Sequence, residues 1–301
     1  TSKSAKSRVK ALERMERIEK PNTYHKSARL EFTFGIDPPQ EVLKVKDIDI
    51  SVGFGNERKT LVDNLSFEVR RGEKLAIIGD NGIGKSTLLK IIQEKLPHKG
   101  KVIWAANVKI SYFDQEAENI NRANTVFEEI HSRYPSMSDL EVRSLLGKVR
   151  IVGENVFKQA GVVSGGERCK LCFAIMMLEH GNVLILDEPT NHLDLQTKEV
   201  LEDALEKFEG TVIYVSHDRY LLNKISTRIL EITQNATESF AGGFDDYIKI
   251  KRLREQEQQE AEDREKQEKL RQQYVEKKNK AFKTKEQRNL EAKNRQRIKQ
   301  L

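Results

Sequence analysis

No stretch of this 301-residue chain approaches the ~18 consecutive apolar residues of a membrane-spanning helix. Its two cysteines cannot build the disulfide framework of a small secreted domain. Aromatic residues make up 7% of the chain against 33% charged, so part of its length reads as solvated helix rather than core. Proline and glycine are missing altogether from residues 251–301, which removes the usual helix breakers there. These absences leave one sizeable core with appendages, on a guide of roughly 150 residues per domain. The expectation is a soluble protein of the cytoplasm.

The net charge of +6 is unevenly distributed. Residues 1–20 carry seven Lys/Arg and three Glu, and residues 251–301 carry seventeen Lys/Arg and ten Asp/Glu, which leaves −5 for the stretch between. A mildly acidic body thus bears two basic arms, the natural contacts for a polyanion. Within the second arm the acids come early: from Lys269 onward, twelve bases face three acids. The mixed-sign part reads as a solvated face and the later part as a nucleic-acid contact, with RNA and DNA both open.

Along the chain, residues 1–20 have helical periodicity, with Ala11, Met15 and Ile18 on one side and Glu13/Arg17 and Glu16/Lys20 as i,i+4 pairs. Pro21 ends that segment. Short β-rich runs follow at 42–50, 65–69 and 74–78, then buried strands at 183–186, 212–215 and 229–232, with helical stretches between them. That alternation predicts a parallel sheet covered on both faces. Residues of about 117–163 lack strand runs and read as an inserted helical subdomain. Residues 251–301 predict a long exposed helix, one limb of a coiled coil. The chain opens without Met and closes at Leu301 with no stop signal, so the expectation is a segment of something longer.

Five motifs carry the chemistry. The first is Gly79-Asp80-Asn81-Gly82-Ile83-Gly84-Lys85-Ser86-Thr87, a G-x-x-x-x-G-K-[ST] loop between a strand and a helix. Its glycines let backbone N–H groups converge on phosphate oxygens, Lys85 reaches the β- and γ-phosphates, and the Ser86 hydroxyl can ligate Mg²⁺. The second is Asp187-Glu188, which closes an apolar strand; there Asp187 suits a Mg²⁺ contact and Glu188 suits positioning and deprotonating an attacking water. The third, Ser164-Gly165-Gly166-Glu167, opens a helix with exposed backbone donors suited to an anion, although an ordinary capped helix looks the same. Thr190-Asn191-His192-Leu193-Asp194 and Val215-Ser216-His217-Asp218 complete the series. Cys169-x-x-Cys172 has no second cysteine pair and reads as two small hydrophobes on a helix.

In this order and spacing the motifs resemble the ATP-binding cassette (ABC) family. The resemblance implies an α/β P-loop NTPase cassette with a parallel-sheet core, an antiparallel β subdomain and a helical subdomain, spanning 41–248, with helical arms. It implies ATP and Mg²⁺ as ligands, held at Gly79, Asn81, Gly82, Gly84, Lys85, Ser86 and Thr87. In that family two cassettes pack head to tail, so Ser164, Gly165 and Gly166 would touch the ATP of a second cassette, in the same chain or a homodimer. By the same resemblance Gln115 is a Mg²⁺ and water ligand, His217 contacts the γ-phosphate, Asp194 belongs to a loop coupling the two sites, and Phe54 stacks on adenine. Val163 stands where Leu is usual. The run DEPTNHLD (187–194) resembles the ABC-F branch. The opening (1–21) resembles the end of an ABC-F inter-cassette linker and the ending (251–301) the start of a C-terminal coiled coil. These features imply the ribosome, with its rRNA and tRNA, as partner. A transporter ATPase subunit and a DNA-binding ATPase are the alternatives.

Overall fold

The computed structural model describes residues 29–53, 59–114, 119–234 and 236–298, so the N-terminal arm, Phe54 and Gln115 lie outside the described residues. The strands form two sheets. In the smaller, antiparallel one, β1 (Glu41–Val52) lies between β2 (Lys59–Arg70) and β4 (Lys101–Trp104). The larger is built from β3 (Lys74–Gly79), β5 (Ile110–Phe113), β6 (Val183–Asp187), β7 (Thr211–Val215), β8 (Arg228–Ile232) and β9 (Thr237–Ala241). Its order is β5–β6–β7–β3–β8–β9, parallel throughout except for the antiparallel β8–β9 pair.

The centre of this sheet is buried on both faces, which is why its strands are continuous apolar runs. Every residue of β6 and β7 is buried. Alternation then sorts side chains between two cores. Leu75, Ile77, Ile185, Ile213 and Val215 pack with Leu88 and Leu89 of α1 (Lys85–Ile92) and with Val45 and Ile48 of β1. Ala76, Leu184, Leu186, Val212 and Tyr214 face the other way. They join α4 (Gly165–Glu179), where Phe173 stacks on Phe113 at 4.8 Å.

Between β5 and α4 the chain forms α2 (Val126–Arg133) and α3 (Asp139–Lys148). Each begins with a reciprocal capping box, Thr125 with Glu128 and Ser138 with Glu141, which satisfies orphan donors at the helix start. After β6 come α5 (Leu195–Lys207) and α6 (Arg219–Ile225). Residues 29–37 run along this side without helix or strand, bending at Gly35-Ile36: the Arg29 N–H donates to Lys148 O at 2.8 Å, and Phe32 and Phe34 meet the Phe208 ring edge-on at 6.3 and 5.5 Å.

The last element is α7 (Phe244–Ile298), 55 residues long. It starts ahead of the basic stretch because its first turn belongs to the body: Tyr247 is buried and packs edge-on against Phe240 at 5.1 Å. The Tyr247 hydroxyl donates to Glu231 at 2.8 Å, and Lys251 pairs with the same carboxylate at 2.7 Å. Beyond that base, the helix is exposed wherever its side chains are described.

Phe173 ties α4 to the sheet with no exposure of its own. Phe173→Ala should cost about 3–5 kcal/mol. In urea unfolding this is expected as a lower midpoint at an unchanged slope.

Candidate active site

The glycine loop is held by geometry that only glycine satisfies at Gly84. That residue sits at φ 101° as the N-cap of α1, and a Cβ there would come within 2.5 Å of the Ile50 side chain. No side chain caps α1, so its first N–H groups face the loop with the positive end of the helix dipole. Lys85 is buried, and its Nζ donates to Gly79 O at 2.7 Å and Asp80 O at 3.0 Å, tying the loop's start to its end. Burial lowers the Lys85 pKa, against the opposing pull of Glu188, Asp80 and Asp187. Asn81 and Gly82 form the exposed crest of the turn, while Ser86 and Thr87 lie in the first turn of α1.

Two strands away, β6 ends at Asp187, which is buried, and its Oδ1 accepts a hydrogen bond from the Ser86 hydroxyl at 3.1 Å. Burial pushes the Asp187 carboxyl up, and the Ser86 bond pulls it down. Glu188 turns out of the strand at φ 48°, a left-handed conformation unusual for a non-glycine residue. Its N–H is fixed to Val215 O at 2.9 Å. Its carboxylate meets His217 twice, accepting the His217 N–H at 3.3 Å and lying 3.4 Å from Nε2.

Ser164, Gly165, Gly166 and Asp194 belong to a second group. The Ser164 hydroxyl accepts from the Glu167 N–H at 3.2 Å, and Glu167 returns the bond by accepting from the Ser164 N–H at 3.1 Å. Asn155 steadies Glu167 with a 2.6 Å hydrogen bond. Gly165 and Gly166 lie against His192, and a Cβ on Gly166 would come within 2.8 Å of the His192 carbonyl oxygen. Asp194 caps α5 by accepting the Thr197 N–H at 2.9 Å, and Lys170 pairs with it at 3.0 Å. Partial desolvation pushes its carboxyl up, but the bonds from Thr197 and Lys170 prevail and bring it to about 2. The structure therefore pairs Ser86 with Asp187 and Glu188 with His217, sets both carboxylates within electrostatic reach of Lys85, and packs Gly165 and Gly166 against His192. Lys170, Glu167, Asn155 and His192 are contributors that the motif reading assigned no role.

The donors fit a Mg²⁺ ion that shares its coordination with phosphate. A hydroxyl and a buried carboxylate converge at Ser86 and Asp187, and this carboxylate lacks a cationic partner at bonding distance among the described residues. Among those residues, no cluster of three or more His, Cys, Asp or Glu could hold a metal by protein ligands alone. The two cysteines lie on α4 as free thiols, where burial raises both and pushes Cys172 to about 12, the reverse of what a reactive thiolate needs.

A glycine loop between a strand and a helix, with Asp-Glu at the end of a nearby parallel strand, defines a P-loop cassette that hydrolyses ATP. Residues 62–191 match the family model described as ABC transporter. The chain is 43% identical over 252 residues to YdiF of Bacillus subtilis, covering 83% of this chain and 39% of that protein. It is 38% identical over 250 residues to ABC transporter F family member 5 of Arabidopsis thaliana (82% and 35%). It is 35% identical over 262 residues to the energy-dependent translational throttle protein EttA of Escherichia coli (83% and 46%). The fold matches the ATP-binding cassette MJ0796, solved as a dimer bound to ADP and Pi, with a TM-score of 0.57 at 22% identity over 66% of this chain and 98% of that one. The chain belongs to the ABC-F family of ATPase cassettes and spans less than half the length of these relatives. No helix among the described residues is long and apolar enough to cross a membrane.

Asp194→Asn keeps a good capping side chain and removes only the charge. The folded carboxyl lies below its ordinary 3.8, at about 2, so its stabilising effect is complete above pH ~4 and is lost as pH falls through about 2. The variant should unfold at lower denaturant than the parent at pH 7. The gap between their midpoints should narrow as the pH is taken below about 4.

Proposed function

We propose that this cassette hydrolyses ATP at a site completed by a second cassette, and that the ATP-bound pair acts on the ribosome. What carries the first half is the division of the motif residues into two groups. Ser86 bonds Asp187, Glu188 meets His217, and both carboxylates act electrostatically on Lys85, whereas Gly165 and Gly166 pack on His192. Among the described residues, none of the hydrogen bonds or ion pairs above joins Ser164, Gly165 or Gly166 to this chain's own phosphate loop, which supports their meeting nucleotide held by another cassette.

In this reading Lys85 and the loop from Gly79 to Thr87 hold the phosphates, with Phe54 stacking on adenine. Ser86, Asp187 and Gln115 hold Mg²⁺, which neutralises phosphate charge when bound. Glu188 orients a water and takes its proton, and His217 contacts the γ-phosphate. Its contact with Glu188 keeps these two side chains together. Asp194 shapes the loop that meets the second cassette. The expected units are the end of a linker (1–21), the cassette (41–248, with its helical subdomain at about 117–163) and the start of a coiled coil (251–301).

Support for the ribosome comes from two directions. One relative is named as a translational throttle. The later part of α7 carries an excess of Lys/Arg, suited to salt-dependent contact with RNA phosphates. The site of action is the cytoplasm.

Glu188→Gln tests both halves. Turnover should fall by about 10²- to 10⁴-fold while nucleotide is retained. Placed in a protein that carries both cassettes, the variant should cosediment with ribosomes more strongly in ATP than without it. If ATP fails to strengthen that association, the ribosomal reading is lost. For the wild-type chain alone, specific activity should rise with protein concentration; a constant value would contradict the shared site.

A further inference from the structure

The first turns of α4 are fastened to the loop that leads from Glu188 to α5 along one helix face. Positions 165, 166, 169 and 170 fall on that face at i,i+4 spacing. Gly165 and Gly166 lie against His192, Cys169 donates a weak hydrogen bond to Asn191 O at 3.9 Å, and Lys170 reaches Asp194 at 3.0 Å. The glycine and thiol contacts are close packing, which neither directs nor fixes the loop. Lys170 is the one charge-assisted tie in the set, and only 14% of its side chain is exposed. Asp194 accepts that bond through Oδ2 while Oδ1 accepts the Thr197 N–H, so one carboxylate joins the signature helix to the start of α5. The same loop is anchored at its other end, where the Asn191 N–H donates to Glu188 O at 3.2 Å.

We propose that Lys170 is a positioning residue that locks the signature loop to the loop following Glu188, so that each cassette presents Ser164–Gly166 correctly to nucleotide held by the other. The proposal rests on the shared-site reading above. It makes a demand that a purely structural role would not: loss of Lys170 must impair the site on the opposite chain and spare the chain's own phosphate loop.

Lys170→Met keeps the apolar stem and removes the charge. In the 301-residue chain it should lower kcat by about tenfold or more, the scale of a small misplacement of a reacting group. Nucleotide affinity should be little changed, the thermal midpoint should fall no further than that of Asp194→Asn, which breaks the same charge pair, and Lys170→Arg should restore most of the loss of kcat. The deciding measurement mixes this variant with Lys85→Ala, which spoils its own phosphate loop but keeps a sound signature loop. Equimolar mixing should restore about a quarter of the wild-type rate, because half the pairs are mixed and each mixed pair has one intact site of two. A parallel mixture of Gly165→Asp with Lys85→Ala tests the shared site itself. If that mixture complements and the Lys170→Met mixture does not exceed the mean of its components, the role assigned to Lys170 is wrong. If neither mixture complements, the shared site fails and takes the proposal with it. A lowered thermal midpoint without rescue by Lys170→Arg would likewise overturn it, leaving Lys170 as a fold contact.

Discussion

Everything in the active site depends on the parallel pairing of β3, β7 and β6. Parallel strands end on the same edge of their sheet, so the loops that follow them are delivered to one place whatever their separation in sequence. Gly79, Asp187 and Val215 are the final residues of three such neighbours. The hydrogen bond between Ser86 and Asp187 spans 101 positions of sequence, and its geometry is set by strands buried on both faces. Because those faces are filled by interdigitated aliphatic side chains, the strand ends cannot drift independently.

Within that frame, the charged groups divide into those that shape the site and those that stand ready for substrate. The Lys85 ammonium satisfies two carbonyls of its own loop, which keeps the loop open in the shape that a phosphate would need. Glu188 is held in a left-handed backbone conformation by the β7 carbonyl of Val215, a strained geometry of the kind that persists where the surroundings over-determine it. On the other side, the reciprocal bond between Ser164 and Glu167 uses the N-terminal donors of α4 only in part. The glycines between them add no side chain in front of the remaining donors.

The interior of the larger sheet was legible in the sequence, because strands covered on both faces must be apolar at every position. The strands that escaped sequence reading, β4, β5 and β9, are all edge strands. An edge strand has one neighbour and a solvated side, so the Lys101–Trp104 pattern alternates between exposed and half-buried and carries no apolar run. For the site, fixed spacing around the glycine loop and after β6 exposed Lys85, Ser86, Asp187 and Glu188 directly. Lys170 was invisible for the opposite reason. Its importance lies in which residue it meets across 24 positions, and a lysine on a helix says nothing of its partner. Phe54 and Gln115 are outside the described residues, so their expected contacts rest on resemblance.

The 55 residues of α7 rise about 1.5 Å each, which makes the helix about 80 Å long. It leaves the body over its first turns, where Tyr247 and Lys251 share the Glu231 carboxylate on β8, directly beside β3 and its phosphate loop, and Arg254 pairs with Glu238 on β9. A lever of that length multiplies angle into distance: a tilt of about 5° at the base carries the far end through about 7 Å. The excess of positive charge lies toward that far end. A tilt of about 5° at the base would thus displace the tip by a distance comparable to the spacing between successive phosphates of a nucleic acid.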